Sequence, residues 1–430
     1  MIQSASLSHL NSLPGTDDIH RYELTNGIVL LTRPNFNSQS VVLNGFIQCG
    51  SMLDPREKLG LAHFTSLALM RGSIHRDFQQ TYDALESVGA SIGFGSSVHH
   101  TSFGGRCLAE DLPLVFEILS DSLRFPSFPE DQIERLRTQL LTGLAIRAQD
   151  TEEMVSLTFD ETLFEGHPYG LPEDGYVETI SRITSQDIIQ FQKASYHPHG
   201  MVLVVVGAVQ PEVCFEMVSR VFESWHAENT QPHFSFPTVK PLSKKVIRHI
   251  VIPGKSQTDV IIGTHGPKRN APEYMAASLG NSILGQFGMM GRIGDIVREK
   301  SGLAYHASAS LNSWIEAGSW EVSAGVNPAN LNRTIDLVIS ELKRFTGELV
   351  TADELADSQA NYIGRLPLSL ESNGGVAGAL LNIERFQLGL DYYRRYFDLV
   401  HEVTPEMILE AARLHINPNR VAVISAGPEK

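Results

Sequence analysis

Apolar positions along the chain fall into two rhythms. Short apolar runs at Ile28–Thr32 and Val41–Cys49 predict strands, and helical patterns follow at about Glu57–Arg71, Arg76–Val88, Glu110–Leu123 and Pro129–Gln149. The scheme then starts again. Strands are predicted at Val246–Ile252, Val260–Gly263, Ala304–Leu311 and Ser319–Ala324. Helices are predicted at about Glu273–Leu284, Met290–Lys300, Pro328–Gly347, Ala352–Leu366 and Gly375–Leu388. Strands first and helices afterwards read as an α+β fold in two homologous halves, each an antiparallel-rich sheet with helices packed on one face.

A direct repeat supports the duplication. Thr184 to Ile188 opens a helix that leads through Tyr196-His-Pro198 to the apolar run Met201–Gly207. Thr404 to Ile408 leads likewise through Ile416-Asn-Pro418 to Val421–Gly427, and every matched position is 220 residues on, without a gap. Thr184 and Thr404 are N-cap candidates, and only the first has an acidic residue, Asp187, at the third helical position. Pro198 and Pro418 end their helices ahead of the strand. One repeat of this length is a duplicated domain and not a solenoid. The expected halves are 1–224 and 244–430, joined by a linker over 225–243 that carries three prolines and no apolar period.

Composition narrows the function. The chain has 430 residues, 34 basic and 49 acidic, for a net charge of −15. No run of Lys and Arg offsets that balance, so nucleic acids and anionic lipids are excluded as partners. The longest apolar run, Met201–Val209, is about half of a membrane span. Cys49, Cys107 and Cys214 have neither metal-type spacing nor the number for a disulfide framework. Residues Met1–Pro14 show neither the basic start and apolar core of a signal peptide nor the arginines of a transit peptide. A reducing, cytoplasmic setting is the expectation. A nucleophile elbow and a phosphate loop are both absent from the sequence.

Gly60-Leu-Ala-His63-Phe-Thr-Ser66-Leu67, with Asn26-Gly27 before it and Gly166-His167-Pro168-Tyr169-Gly170 after it, resembles the N-terminal half of the insulinase (pitrilysin) family of zinc peptidases. Asn281-Ser-Ile-Leu-Gly285-Gln-Phe287, followed by Gly291 to Arg298 and Gly302-Leu-Ala-Tyr305, resembles that family's C-terminal half. The likeness runs from about Arg21 to Gly427. It implies the duplicated fold and, in intact members, a zinc motif H-x-x-E-H. There two histidines one helical turn apart hold the metal, the glutamate activates the bound water, and a carboxylate from a later helix completes the site.

Aligned on that motif, this chain keeps His63 alone. Ser66 stands for the glutamate, Leu67 for the second histidine and Gly143 for the third ligand, while Leu136 replaces the family's second acidic residue. A single imidazole does not hold catalytic zinc, and a serine does not replace the carboxylate base. No metal is therefore expected in this chain, and His63 reads as a side chain left on a core-facing helix. A rescue site from His99, His100 or His167 is disfavoured, because His99 and His100 are adjacent on a predicted strand and point to opposite faces. His197 and His199 would share a face only if the turn at Pro198 were extended.

The second half keeps Arg298 and Tyr305, seven residues apart across a helix end. Lys300 falls in the last turn, Gly302 suits a left-handed cap and Tyr305 opens the next strand, a geometry that lets guanidinium and phenol converge on one point. Taken alone, the pair reads as an Arg bound to a nearby acid and a Tyr with its hydroxyl at the surface. The resemblance implies that such a pair stabilises the substrate carbonyl and the oxyanion at a zinc site. It also implies a heterodimer in which a paralogous subunit carries the zinc and this chain the Arg/Tyr pair, with peptides as substrates and a homodimer possible when the chain is alone. Substrates of the family add as a strand to a sheet edge, and Gly50-Ser51, at the end of the second strand, are the substrate-contact candidates. The rival expectation is a catalytically silent peptide binder or scaffold of the same fold. The segment Leu284–Gly294 is not the long glycine-rich loop of the zinc-free mitochondrial processing subunits.

Overall fold

The computed structural model describes residues 13–226, 234–286 and 291–429. Most of the segment Met1–Pro14, read as neither signal nor transit peptide, the centre of the linker at 227–233, and Phe287 to Met290 lie outside the described residues. The rest of the linker, 234–243, contains no helix or strand.

Among the described residues, eleven strands form two sheets. The first holds β1 (His20–Glu23), β2 (Val29–Pro34), β3 (Ser40–Ile47), β4 (Ser91–Ser96), β5 (Thr101–Leu108) and β6 (Val202–Gly207), in the order β1-β2-β6-β3-β5-β4. The second holds β7 (Val246–Val251), β8 (Thr258–Gly266), β9 (Ala304–Ser313), β10 (Gly318–Val326) and β11 (Ala422–Gly427), in the order β7-β11-β8-β10-β9. With β1 set aside, the two orders are the same path traced twice. Each contains one parallel pair, β2 with β6 and β7 with β11, and all other pairs are antiparallel. The duplication read from the sequence is thus a duplication of sheet topology. Helices Ser185–Ser195 and Pro405–His415 are 220 residues apart, as are β6 and β11. Thr184 and Thr404 cap their helices by accepting from the backbone N–H of Asp187 and Met407, and only Asp187 closes a capping box.

The central strands explain why the apolar runs are continuous. All six residues of β6 and all six of β11 are buried, as expected for strands covered on both faces. On one face of the first sheet, Leu30, Val41, Leu43, Leu203 and Val205 pack with Phe64, Phe116 and Leu119 from helices of the same half. On the other, Leu31, Phe46, Val204 and Val206 pack with Val376, Ala377 and Leu380 of the helix Asn373–Phe386. That helix comes from the far end of the sequence. In the second sheet the helix Thr151–Leu163 is the counterpart, packed against β8 and β11. Its Phe159 ring sits so close to Gly263 that a Cβ there would lie 2.8 Å from it.

Each compact unit therefore takes a helix from the other half of the sequence. One unit comprises Met1–Leu144, Pro172–Ser235 and Pro367–Arg394; the other comprises Ala145–Leu171, Phe236–Leu366 and Arg395–Lys430. Burying one Phe of these cores contributes roughly 1.5–3 kcal/mol. The exchanged helices are thus integral to the sheets they cover. No helix among the described residues is long and apolar enough to cross a membrane.

Candidate functional site

The helix Leu61–Ala68 carries His63, Ser66 and Leu67. It starts at Gly60, whose φ of +93° lies in the left-handed region, and a Cβ there would meet the Asp174 carbonyl oxygen at 2.9 Å. Asp54 supplies the missing cap. Its carboxylate accepts from the N–H of Gly60 at 2.8 Å and of Ala62 at 2.9 Å, while burial pushes its carboxyl up to about 7. Burial likewise raises Glu173 to about 7, where it accepts from the Val98 N–H at 3.1 Å.

His63 is partly buried, and burial holds its imidazole below the usual value, with Asp174 opposing. The Ser66 hydroxyl, fully buried, donates to the His63 carbonyl oxygen at 2.8 Å. That back-bond occupies its proton one turn down its own helix. Leu67 packs on the hydrophobic core. Gly143 is exposed on the helix Glu130–Arg147, and Leu136 of that helix is buried in the core. These residues do not fit a zinc ion: one imidazole faces a hydroxyl bound to backbone, an aliphatic chain and an exposed glycine. Among the described residues, no three His, Cys, Asp or Glu side chains are grouped as a metal ion would require.

The other histidines are dispersed. His99 and His100 lie in the turn between β4 and β5 and not on a strand, because the Gly-rich hairpin ends its pairing at Ser96 and Thr101. His167 is buried, with Nδ1 accepting from the Tyr169 N–H at 3.1 Å. His197 is buried with Nε2 on the Ala194 carbonyl oxygen at 2.8 Å, whereas His199 is exposed.

Gly50 and Ser51 also sit differently from the expectation of a sheet edge. The strand before them, β3, is hydrogen-bonded on both sides, to β5 and β6. The Ser51 N–H donates to the Ser97 carbonyl oxygen, and a Cβ on Gly50 would lie 2.3 Å from that same oxygen. No strand can add there. The open edge on this side of the sheet is β4, Ser91–Ser96.

Arg298 and Tyr305 occupy two successive backbone irregularities. The helix starting at Gly291 widens into a π-turn over Asp295–Glu299, with the Lys300 N–H donating to the Asp295 carbonyl oxygen at 2.8 Å. Gly302, at φ +61°, closes it, and the Leu303 N–H donates back to the Val297 carbonyl oxygen. In the next strand the β9–β10 register slips. Gly325 faces His306 and Val326 faces Ala304, so Tyr305 is the extra residue of a β-bulge. Its side chain is 88% exposed, on the edge strand of the second sheet. Arg298 Nε lies 3.4 Å from Glu299, on a side chain 37% exposed. The paired Arg and the surface Tyr expected of an isolated motif are both present, yet the backbone spends an extra residue at each site. Such π- and β-bulges recur where a side chain is re-aimed for use.

Sequence reasoning missed the support beneath this segment. Arg292, in the same run, has a side chain only 8% exposed. It donates from Nε and Nη2 to the two oxygens of Glu354, both at 2.6 Å, and Nη1 lies 3.6 Å from Glu341. An Arg inside an otherwise small and apolar Gly-x-Ile-Gly stretch was the available signal.

Comparison with known proteins adds an independent view. A family profile described as Insulinase (Peptidase family M16) matches residues 29–173, and one described as Peptidase M16 inactive domain matches residues 182–362. An uncharacterized zinc protease of Streptomyces coelicolor is 25% identical over 371 residues, covering 84% of this chain and 79% of its own. The mitochondrial-processing peptidase subunit beta of Saccharomyces cerevisiae is 24% identical over 438 residues, covering 98% and 93% respectively. In fold, the crystal structure of a peptidase M16 inactive domain from Pseudomonas fluorescens superposes with a TM-score of 0.89 at 24% identity. It covers 96% of this chain and 98% of that one.

Proposed function

The chain belongs to the insulinase family of M16 peptidases, and from that premise we propose that it is the subunit of a paired peptidase that binds no metal. In this reading a paralogous partner carries the intact H-x-x-E-H motif and the zinc. This chain contributes Arg298 and Tyr305 to the partner's active site. The guanidinium orients the carbonyl of a bound peptide, and the phenol donates to the oxyanion formed when water adds to it. Hydrolysis of peptides is the reaction, and a cytoplasmic, reducing setting suits three buried free thiols.

The observation that carries this reading is the paired irregularity at Asp295–Glu299 and Tyr305, which presents a tyrosine 88% exposed. A scaffold gains nothing from either bulge. The relative named as one subunit of a processing peptidase supports a paired arrangement in this family. A catalytically silent peptide binder of the same fold is the second reading, favoured by the Arg298–Glu299 pair, which gives the guanidinium a partner of its own. Arg298→Ala and Tyr305→Phe decide between them in the assembled complex. Loss of one oxyanion donor lowers turnover by about 100- to 1,000-fold, with zinc content unchanged. Wild-type turnover in both variants contradicts the proposal.

A further inference from the structure

One cation of the first unit stands without an anion. Arg385 lies in the last turn of the helix Asn373–Phe386, on the face of the first sheet that this helix covers. Its guanidinium carbon is 5.4 Å from the centroid of the Phe46 ring, and its buried Nε has no hydrogen-bond partner. Among the described residues the side chain makes no ion pair. Its neighbour Glu384 is taken by Arg21 at 2.8 Å. Burial lowers the Arg385 guanidinium, with no acid to oppose the shift. The partial negative charge at the helix C-terminus offsets only part of that cost.

His100 also packs on the Phe46 ring, with ring centroids 4.6 Å apart. His100 is buried, and Nδ1 is 3.2 Å from the Ser97 hydroxyl. Burial first, then the positive charges of Arg385 and His99, hold its imidazole well below the usual value. The cluster thus carries one fixed positive charge and one neutral imidazole around an aromatic ring. A half-buried cation without an ion-pair partner, in a chain of net charge −15, has not been left alone for lack of acids.

We propose that Arg385, with His100 and the Phe46 ring, is a binding site for the carboxylate of a peptide. A single fixed charge matches a monoanion and not a phosphate dianion, and the planar guanidinium fork matches a carboxylate. The carboxylate is either the C-terminus of the bound peptide or an acidic side chain within it. This inference rests on the peptide-handling reading for its ligand class, but it concerns a site separate from Arg298 and Tyr305.

The test uses three fluorescent peptides on the full chain: an alanine-rich hexapeptide with a free C-terminus, its C-terminal amide, and the amide with one internal Asp. Fluorescence anisotropy should show the free acid bound about 10- to 100-fold more tightly than the amide if the terminus is recognised. The Asp-containing amide gains instead if a side chain is. In either case Arg385→Met reduces the favoured peptide to the affinity of the plain amide. The same variant should keep or raise the thermal midpoint, because it removes a desolvated charge with no partner. Equal affinity for all three peptides, no binding by any, or a lowered midpoint in Arg385→Met overturns the inference. None of those results alters peptide cleavage by the assembled complex, which tests the Arg298 and Tyr305 proposal separately.

Discussion

Replacing Glu354 by Gln probes the ion-pair node on which the Arg298–Tyr305 segment is mounted. Arg292 holds Glu354 through two hydrogen bonds of 2.6 Å, and the Thr351 N–H adds a third contact to the carboxylate at 2.8 Å. Chiefly through the Arg292 hydrogen bonds, the Glu354 carboxyl is drawn from 4.5 to about 2. A shift of that size corresponds to roughly 3 kcal/mol, and solvent screening at a partly exposed side chain reduces it to about 2 kcal/mol.

The folded value lies below the unfolded one. The contribution is therefore present above the ordinary glutamate range and is lost as pH falls from 4.5 towards about 2. Trp314 and Trp320 belong to this unit, so in a Trp225→Phe background tryptophan fluorescence reports its urea unfolding. Glu354→Gln should lower stability by about 2 kcal/mol at pH 7, and by less than about half of that at pH 3. A loss under about 0.5 kcal/mol at pH 7, or one independent of pH, refutes the reasoning.

Other outcomes follow from the same contacts. Burial holds His167 and His265 below the usual histidine value, so at each of these two groups the unfolded chain binds more protons than the folded one as pH drops below 6.5. Asp54 and Glu173, raised to about 7, act in the opposite sense over the same range, so the test is a difference. The midpoint of His265→Gln relative to wild type should rise as pH falls from 7.5 to 5.5, and a constant difference excludes His265 as a contributor. Thr184→Ala removes an N-cap and opens a capping box, which should cost about 1 kcal/mol in urea unfolding. No measurable loss would mean that Asp187, also bound to Lys58 at 2.6 Å, suffices to fix that helix end.

The duplicated topology was legible because it rests on local signals: N-cap threonines, Pro198 and Pro418, and the apolar runs of β6 and β11. The bounds of the hairpin β4–β5 were not, because each of its strands carries two glycines, which weaken the strand signal and leave few apolar side chains to mark it. The helix Thr151–Leu163 was missed too. Its buried Val155, Phe159 and Leu163 recur every four residues among acidic neighbours, and its partner sheet is built from sequence about 100 or more residues away. At the site, Gly302 could be read as a left-handed cap. The π-turn and the bulge at Tyr305 could not, since each depends on which carbonyl a given N–H finds in the folded chain. Gly50 and Ser51 were read as an edge because the order of strands in a sheet is not written in any one strand. Arg385 gave no signal, as its lack of an acid partner is a property of tertiary packing alone.

The most direct measurement is cleavage of a quenched fluorescent peptide library, with zinc present, by this chain alone, by an M16 partner with an intact H-x-x-E-H motif alone, and by the two mixed. A shared active site predicts silence from this chain alone and a large gain on mixing that vanishes with Arg298→Ala. Equal rates from the partner with and without this chain would contradict it.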